Sequence, residues 1–304
     1  APILFIVFQT KYNIGLEKLG RLVLFNFFFQ IVIDIVAIKI VDKIGYRTSA
    51  LLANFSSAFG LILMAILPSV INPYIGLMIS ISIYAVGGGF FEVIVSPIVD
   101  NLPTERKQSN MALLHSFYCW GQAAVIVVST LLLIIINMDK WVILPLIWAL
   151  FPIVNFVLFL KVPIVNPPKG NEATGIKELF ASGSFVIFCL MILCSGASEL
   201  AMSQWASLFA EKITLSKTAG DIAGPFMFSI LMGLGRVFFA WLGMKRNLNI
   251  GKTIALYATL CIVCYITVAL SPIPIISLIA CAVCGFSVSV MWPGVLSMSA
   301  KRFP

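Results

Sequence analysis

Apolar runs of about twenty residues follow one another along the whole sequence, separated by short polar segments. A hydrocarbon core about 30 Å thick needs roughly 20 apolar residues for each helical span. Hydrophobic residues make up 61% of the 304 residues and charged residues only 11%, whereas soluble domains carry about 25% charged residues. The sequence therefore predicts an all-α protein that crosses a membrane many times.

The apolar runs predict about ten spans. The first ends near residue 8, and the others lie at about 19–41, 48–67, 74–99, 110–136, 141–160, 183–209, 222–243, 253–270 and 274–299. We expect the sequence to begin inside its first span, because it starts with Ala rather than Met near the end of an apolar run. The polar segment at 161–182 is too short for a soluble core and is predicted to be a linker.

Basic residues are divided unevenly between alternate loops. Thirteen Lys and Arg lie on the side that includes the 161–182 linker, and six lie on the other side. Because cytoplasmic loops retain basic residues, we expect a cytoplasmic linker and a protein of the plasma or inner membrane. The excess of basic residues behind the net charge of +8 therefore lies in the loops between spans, and this placement does not indicate a nucleic-acid partner.

Seven cysteines all fall within the apolar spans. Cys261 with Cys264, and Cys281 with Cys284, have a spacing compatible with a zinc ribbon. Zinc ribbons present their thiolates from tight polar turns, whereas these cysteines lie in continuous apolar segments, where Cys is a small packing residue. We therefore expect neither a bound metal nor another cofactor.

The two halves of the sequence resemble each other, since residues 84–99 match residues 280–295 at an offset of 196. The pairs that coincide at this offset include Gly89 with Gly285, Phe90 with Phe286, and Pro97 with Pro293. An even number of spans per repeat keeps both copies in the same orientation. The pattern predicts two parallel-related six-helix bundles, an N-terminal one at 1–160 and a C-terminal one at 183–304, with two further spans expected after the last run.

Short motifs resemble those of the major facilitator superfamily. Residues 42–47, Asp-Lys-Ile-Gly-Tyr-Arg, resemble the D-R/K-x-G-R-R/K part of its signature, although Ile38 stands where the motif has Gly. Residues 88–97 resemble the fucose and glucose/galactose permease branch, whose fourth helix carries a Glu four residues before Asn-Pro; here Ser96 replaces the Asn. Further similarity lies at 195–199, 235–236 and 291–293.

The resemblance implies the major facilitator fold and transport by alternating access. It also implies a role for the signature loop, which locks the outward-facing state through charge contacts with neighbouring helix ends. The residues that carry this role are Asp42, Lys43, Gly45 and Arg47. In the permeases that this sequence resembles, the Glu that matches Glu92 couples proton uptake to sugar binding.

Five ionisable residues are predicted to lie within the membrane, where a charge costs several kcal/mol and marks a candidate functional site: Asp34, Glu92, His115, Glu199 and Arg236. Glu92 lies eight residues before Asp100, roughly 12 Å inside the boundary at about 1.5 Å per residue. Apolar surroundings favour the neutral acid, as proton coupling requires. Its repeat partner is Val288, which favours coupling or substrate contact over an interhelical hydrogen bond shared by both halves.

Glu199 is expected to line a cavity near the middle of its span. Asp34 and Arg236 lie at equivalent depths of the two halves, so they are candidates for a gating bridge between them; alternatively, each pairs within its own half, or Arg236 extends to the membrane interface. Asp34 also continues a polar stripe, spaced by four, that marks an inward or interhelical face. Its other members are Asn26 and Gln30.

The remaining candidates are polar and aromatic. His115, the single histidine, shares a helical face with Gln122 and is either a proton carrier or a hydrogen-bonded packing residue. Gln204, Trp205 and Trp292 could line a sugar site, since amides bind hydroxyl groups and aromatic faces stack on sugar rings; Trp is also common at membrane interfaces.

We interpret the sequence as a secondary transporter, most simply a proton-coupled importer of a sugar or a similar small polar solute, working as a monomer in the lipid bilayer. A proton-driven exporter of drugs or amphipathic compounds would have the same fold. A membrane enzyme would need a clustered nucleophile and base or a metal set, which one His does not supply. A sensor that does not transport remains a fourth interpretation.

Overall fold

The computed structural model describes residues 2–103, 107–164, 176–245 and 249–302. These residues are almost entirely helical. In chain order the helices are α1 (Phe5–Tyr12), α2 (Leu16–Val70), α3 (Pro73–Asp100), α4 (Lys107–Ile136), α5 (Ile143–Lys161), α6 (Ile176–Ala181), α7 (Gly183–Thr214), α8 (Lys217–Asp221), α9 (Met227–Lys245), α10 (Ile250–Leu270), α11 (Pro274–Val288) and α12 (Met291–Arg302).

The helices confirm a protein that crosses the membrane many times. Within the described residues, eight stretches of helix are long and apolar enough to span a bilayer. One of them, α2, has 55 residues and would be about 80 Å long if straight, enough for two spans. With α1 as the end of the first span, the ten predicted spans all correspond to helices of the structure.

The predicted loop between spans two and three is replaced by a kink within α2. Helical hydrogen bonding continues on both sides of Gly45, which alone departs from helical geometry with φ 83° and ψ 161°. This backbone region is accessible to glycine and strained for other residues. A single glycine therefore redirects the chain between the two spans.

Other helix boundaries follow from capping residues in the sequence. Asn72 accepts hydrogen bonds from the backbone N–H groups of Tyr74 and Ile75, and Pro73 occupies the first position of α3, where a missing N–H costs nothing. Asn249 caps α10 in the same way by accepting from Lys252 N–H. These local signals set the first turns of α3 and α10.

Span eight and span ten are less regular than predicted. The helix of span eight begins with the short α8, passes through a π-helical turn at Ile222–Phe226 that contains Pro225, and continues as α9. Span ten breaks between α11 and α12, whereas its repeat counterpart α3 continues through Pro97. The sequence repeat therefore does not extend to the local geometry of the fourth span in each half.

The described residues form two compact units, and the first comprises Leu4–Leu114 and Leu132–Lys169. In its core, α3 packs against both halves of α2. Phe90 and Ile94 of α3 are buried against Ala37 of the first half and Ala53 of the second half. A Cβ atom added at Gly60 would lie 2.6 Å from the backbone N of Tyr84, closer than packed atoms allow. Glycine thus sets how closely α3 approaches α2.

The second unit comprises Ala1–Ile3, His115–Leu131 and Gly170–Pro304, so the middle of α4 packs with the later helices. Its core includes Phe228, Met232, Val288 and the four cysteines of the two Cys-x-x-Cys motifs. A Cβ at Gly285 would meet the backbone of Phe228, so glycine allows α11 to contact α9 closely. The division into bundles at 1–160 and 183–304 stays a prediction, and residues 165–175 of the expected linker lie outside the described residues.

Candidate functional site

A hydrogen bond between α2 and α3 joins two of the predicted site residues in the first unit. Nε2 of Gln30 donates to Oε2 of Glu92 at 2.5 Å. The helical spacing explains the contact, because Gln30 lies on the face of α2 that approaches the Gly87–Gly89 segment of α3, and Glu92 follows that segment by one turn. The structure thus pairs an amide and a carboxyl group that are 62 residues apart.

Asp34 lies one turn beyond Gln30 on the same face of α2. Its Oδ1 would be 2.9 Å from a Cβ atom added at Gly89, which shows how closely the carboxyl group approaches α3. The same oxygen is buried and has no hydrogen-bond partner within the described chain. Asp34 is also close enough to Glu92 for the two carboxyl groups to interact electrostatically. Asn26 is half-buried one turn before Gln30.

Glu92 is exposed in the structure, contrary to the apolar surroundings expected from its depth. The helices of its own unit cover the opposite side of α3, where Phe90 and Ile94 are buried. The carboxyl group is therefore held by Gln30 on an accessible face. This geometry suits a group that exchanges protons or contacts a solute.

A second cluster forms around Arg236 in the other unit. Its Nη1 donates to the backbone carbonyl of His115 at 2.8 Å, and its Nη2 lies 3.8 Å from Oε2 of Glu199. The side chains of Arg236 and Glu199 are only 10% and 11% exposed. Of the alternatives for Arg236, the structure therefore supports pairing with a residue of its own unit.

Tyr118 completes this cluster. The guanidinium carbon of Arg236 lies 5.7 Å from the centre of the Tyr118 ring, a cation–π contact. The Tyr118 side chain is close enough to Glu199 for the two groups to interact electrostatically. Three helices, α4, α7 and α9, therefore contribute to one polar site inside an apolar unit.

The other predicted residues of this unit surround the cluster to different degrees. His115 contributes its backbone carbonyl, not its imidazole, to Arg236. Gln122 lies one turn after Tyr118, and its buried Oε1 has no partner within the described chain. Trp292 reaches to 3.7 Å from the Cβ position of Gly196 on α7. Gln204 and Trp205 are half-buried on α7.

The comparison with protein families decides which group this fold belongs to. The sequence model described as the Major Facilitator Superfamily matches residues 1–304. The chain belongs to this superfamily. No curated protein matches the chain at a significant level.

Solved structures of the superfamily share the fold at low sequence identity. A variant of the E. coli fucose:proton symporter FucP has a TM-score of 0.72 at 17% identity, over 98% of this chain and 80% of that chain. A D-xylose-proton symporter has a TM-score of 0.74 at 14% identity, over 99% and 77%. The E. coli xylose transporter XylE, in a partially occluded inward-open conformation, has a TM-score of 0.72 at 14% identity, over 97% and 78%.

The superfamily signature loop makes one well-defined set of contacts. Nη1 of Arg47 donates to the carbonyl of Leu160 at 2.6 Å and to that of Phe159 at 3.4 Å, and Nη2 donates to Val162 O at 2.9 Å. The guanidinium group therefore caps the C-terminal end of α5, whose last carbonyls carry partial negative charge. Asp42 and Lys43 are exposed on the last turn before the Gly45 kink.

A buried carboxylate that the sequence analysis missed lies at the start of span eight. Asp221 is fully buried, accepts hydrogen bonds from Ser207 and from Thr130 Oγ1 at 3.1 Å, and forms an ion pair with Lys217 at 2.6 Å. Asp221 stood just outside the predicted span at 222–243, so it was not counted as intramembrane. Its spacing of four from Lys217 was the signal available in the sequence.

The cysteine motifs lie in the packed core of the second unit. Cys261 and Cys284, on neighbouring helices α10 and α11, have sulfur atoms 4.0 Å apart. Within the described ranges, no group of three or more His, Cys, Asp or Glu side chains has the geometry of a metal site. All four cysteines of the two motifs belong to the apolar core of this unit.

Proposed function

We propose that this protein is a proton-coupled importer of a sugar or a similar small polar solute, working by alternating access. The observation that carries the proposal is the hydrogen bond from Gln30 to the exposed carboxyl group of Glu92, with the unpartnered Asp34 oxygen beside it. A membrane-embedded carboxyl group with an amide donor and a second carboxyl nearby is suited to binding and releasing a proton. Membership of the superfamily and the fold shared with two sugar:proton symporters support the same conclusion.

In this proposal Glu92 takes up the coupling proton, and Gln30 positions its carboxyl group. Asn26 and Asp34 extend the polar face of α2. Glu199 and Arg236 contribute to the solute site of the second unit, with Gln122, Gln204, Trp205 and Trp292 as further contacts and His115 as a supporting residue. Asp42, Lys43, Gly45 and Arg47 set the rates of the conformational change.

The proposed setting follows from charge and family. The protein works as a monomer in the plasma or inner membrane, and the segment at 161–182 lies in the cytoplasm with the larger set of basic residues. No cofactor enters the proposed cycle, because the proton gradient across the membrane supplies the free energy for uptake. The solute and the proton are its partners, together with the bilayer.

The test is uptake into proteoliposomes that contain the purified protein. A panel of hexoses and 6-deoxyhexoses is presented under an imposed pH gradient, with Glu92→Gln alongside the wild type. We expect gradient-driven uptake of at least one sugar, and loss of that uptake in Glu92→Gln with retained exchange of the same sugar across the membrane. Glu17→Gln, which alters an exposed carboxylate of α2, is the matched control.

Two outcomes would contradict the proposal. Full gradient-driven uptake by Glu92→Gln would remove this carboxylate from coupling. Absence of flux for every sugar, neutral or acidic, under every gradient would exclude a sugar importer and favour the exporter of amphipathic compounds.

A further inference from the structure

One edge of the Arg236 guanidinium group, formed by Nε and Nη2, has no oxygen atom within hydrogen-bonding distance in the described chain. Nη1 is occupied by the His115 carbonyl, but Nε is buried without a hydrogen-bond partner in the described chain. Nη2 lies 3.9 Å from Sδ of Met232 and 3.8 Å from Oε2 of Glu199. Charge-assisted N–H to O bonds are about 2.7–2.9 Å long, so Glu199 is an electrostatic neighbour and not a bound ligand of this edge.

This edge of the guanidinium group has a specific shape. Nε and Nη2 of a guanidinium group form a planar fork that binds both oxygens of a carboxylate through two parallel hydrogen bonds. An ammonium group or a neutral amide does not offer this geometry. The fork of Arg236 is therefore matched to a planar anion with two oxygen atoms.

Two further polar groups, on the helices that carry Glu199 and Tyr118, also lack partners in the described chain. Oγ of Ser195 is buried one turn before Glu199, and Oε1 of Gln122 is buried one turn after Tyr118. An unsatisfied buried polar atom costs about 1–3 kcal/mol, so native proteins rarely retain several without a partner. A hydroxyl-rich molecule would supply partners for both, since each hydroxyl group donates and accepts hydrogen bonds.

We propose that the solute is a sugar acid, a polyhydroxylated carboxylate whose carboxylate group binds the Nε and Nη2 edge of Arg236. This inference rests on the proposed function and makes its solute class specific. The hydroxyl groups of the sugar reach Ser195 and Gln122. The Tyr118 ring forms the apolar side of the site, on which the guanidinium group also lies.

Glu199 links this binding step to a proton. When its carboxylate is charged, it competes with the sugar acid for Arg236. When it takes a proton from the medium, the carboxylic acid no longer attracts the guanidinium group, and the solute carboxylate takes its place. One proton and one solute anion then bind together, so the net charge of the cluster stays unchanged.

The other titratable groups around Glu199 come from two helices. Arg236 faces it from α9, and Tyr118 and Cys119 face it from α4. His115 lies beside Arg236. Arg236 is the cation of this group, so protonation of Glu199 removes a carboxylate that competes with the solute for the fork.

The experiment compares matched pairs of sugars in proteoliposomes: glucuronate with glucose, and galacturonate with galactose. We expect uptake of an acid to exceed uptake of its neutral partner by more than about tenfold, since a buried charge-paired contact contributes that much or more. Arg236→Lys should lose this preference, because lysine keeps the charge but not the fork. Arg21→Lys, an exposed arginine on α2, is the matched control.

Binding measurements keep the test independent of coupling and of folding defects. Glu199→Gln imitates the protonated acid, so its affinity for the sugar acid should depend less steeply on pH than that of the wild type, and the pH dependence that remains comes from Glu92. The double variant Glu199→Gln with Arg236→Gln removes both buried charges and is expected to fold, because it leaves neither charge unpaired. This double variant should bind neither glucuronate nor galacturonate.

The outcomes separate this inference from the proposed function. Proton-driven uptake of a neutral hexose with no preference for its acid would overturn the sugar-acid inference and leave the importer intact. Sugar-acid binding by Glu199→Gln that retains the wild-type pH dependence would overturn the role of Glu199. Lack of flux for acids and neutral sugars alike would overturn both proposals.

Discussion

Gln30 on α2 and Glu92 on α3 are joined by a hydrogen bond of 2.5 Å between the side-chain amide and the carboxyl group. The glycine segment just before Glu92 brings the two helices together at this level, since Gly87 and Gly89 leave no room for a side chain against α2. The position of the Glu92 carboxyl group is therefore set by the packing of two helices of one unit.

Replacing Gln30 with Ala removes the donor that positions Glu92. Hydrogen bonds to charged groups contribute about 1.5–3 kcal/mol when buried and less at an accessible site, so we expect gradient-driven uptake to fall roughly fivefold or more. Initial rates under a fixed pH gradient measure this. Ser82→Ala, which removes an intrahelical hydroxyl bond on α3, is the control and should keep wild-type rates. Equal rates for both variants would count against the positioning role.

Gly88 and Gly89 are adjacent and should respond differently to substitution by Ala. At Gly89 the new Cβ would lie 2.7 Å from Cγ2 of Ile33 and 2.9 Å from Oδ1 of Asp34, whereas at Gly88 the nearest atom is 3.7 Å away. We expect Gly89→Ala to lower the midpoint of thermal unfolding in detergent, because overpacking costs about 1–3 kcal/mol. Gly88→Ala should keep the wild-type midpoint; a similar loss in both would argue against close α2–α3 packing at Gly89.

The kink at Gly45 gives a second glycine prediction with a different cause. A Cβ at Gly45 would meet nothing within 4 Å, so the cost of Gly45→Ala is the backbone conformation alone, about 1–3 kcal/mol at φ 83° and ψ 161°. Thermal unfolding followed by tryptophan fluorescence should show a lower midpoint. Gly183→Ala also places its Cβ in open space but at an ordinary φ, and it should be neutral. An unchanged midpoint for Gly45→Ala would mean that the kink is not required.

Arg47 should stabilise the last turn of α5 through its bonds to three carbonyl groups. Arg47→Ala removes these hydrogen bonds and with them about 1.5 kcal/mol or more of local stability. The rate of amide hydrogen exchange near Leu158–Val162 should therefore rise roughly tenfold. Arg47→Lys should give an intermediate rate, because lysine offers a point charge without the fork. Lys39→Ala, an exposed residue earlier on α2, is the control. Unchanged exchange in Arg47→Ala would show that this cap has no energetic role.

Much of the architecture was predictable because the bilayer imposes a simple rule. Runs of apolar residues of the required length defined the spans, and the match between residues 84–99 and 280–295 indicated related spans in the two halves of the sequence. The polar stripe of Asn26, Gln30 and Asp34 followed from a spacing of four. These features depend on local sequence and on helix geometry, which the sequence contains directly.

The missed features depend on contacts between distant segments. The role of the His115 carbonyl is invisible in a sequence, because every residue has one. Tyr118 becomes part of the polar cluster only because α4 brings it over Arg236. The exposure of Glu92 depends on which face of α3 the other helices cover, and depth along the helix does not determine that.

Asp221 is the missed residue with the largest expected effect on stability. Asp221→Ala would leave the Lys217 ammonium, whose side chain is 11% exposed, without its partner, and Ser207 and Thr130 without their acceptor. Breaking a buried pair in this way costs about 3–5 kcal/mol, so we expect a large fall in the midpoint of thermal unfolding. Asp221→Asn with Lys217→Met removes both charges and keeps an acceptor, so it should recover most of the loss.

Glu17→Ala breaks a pair whose side chains are 67% and 78% exposed and should change little, since exposed pairs contribute about 0–1 kcal/mol. If Asp221→Ala and Glu17→Ala unfold at the same temperature, the buried network does not stabilise the start of span eight.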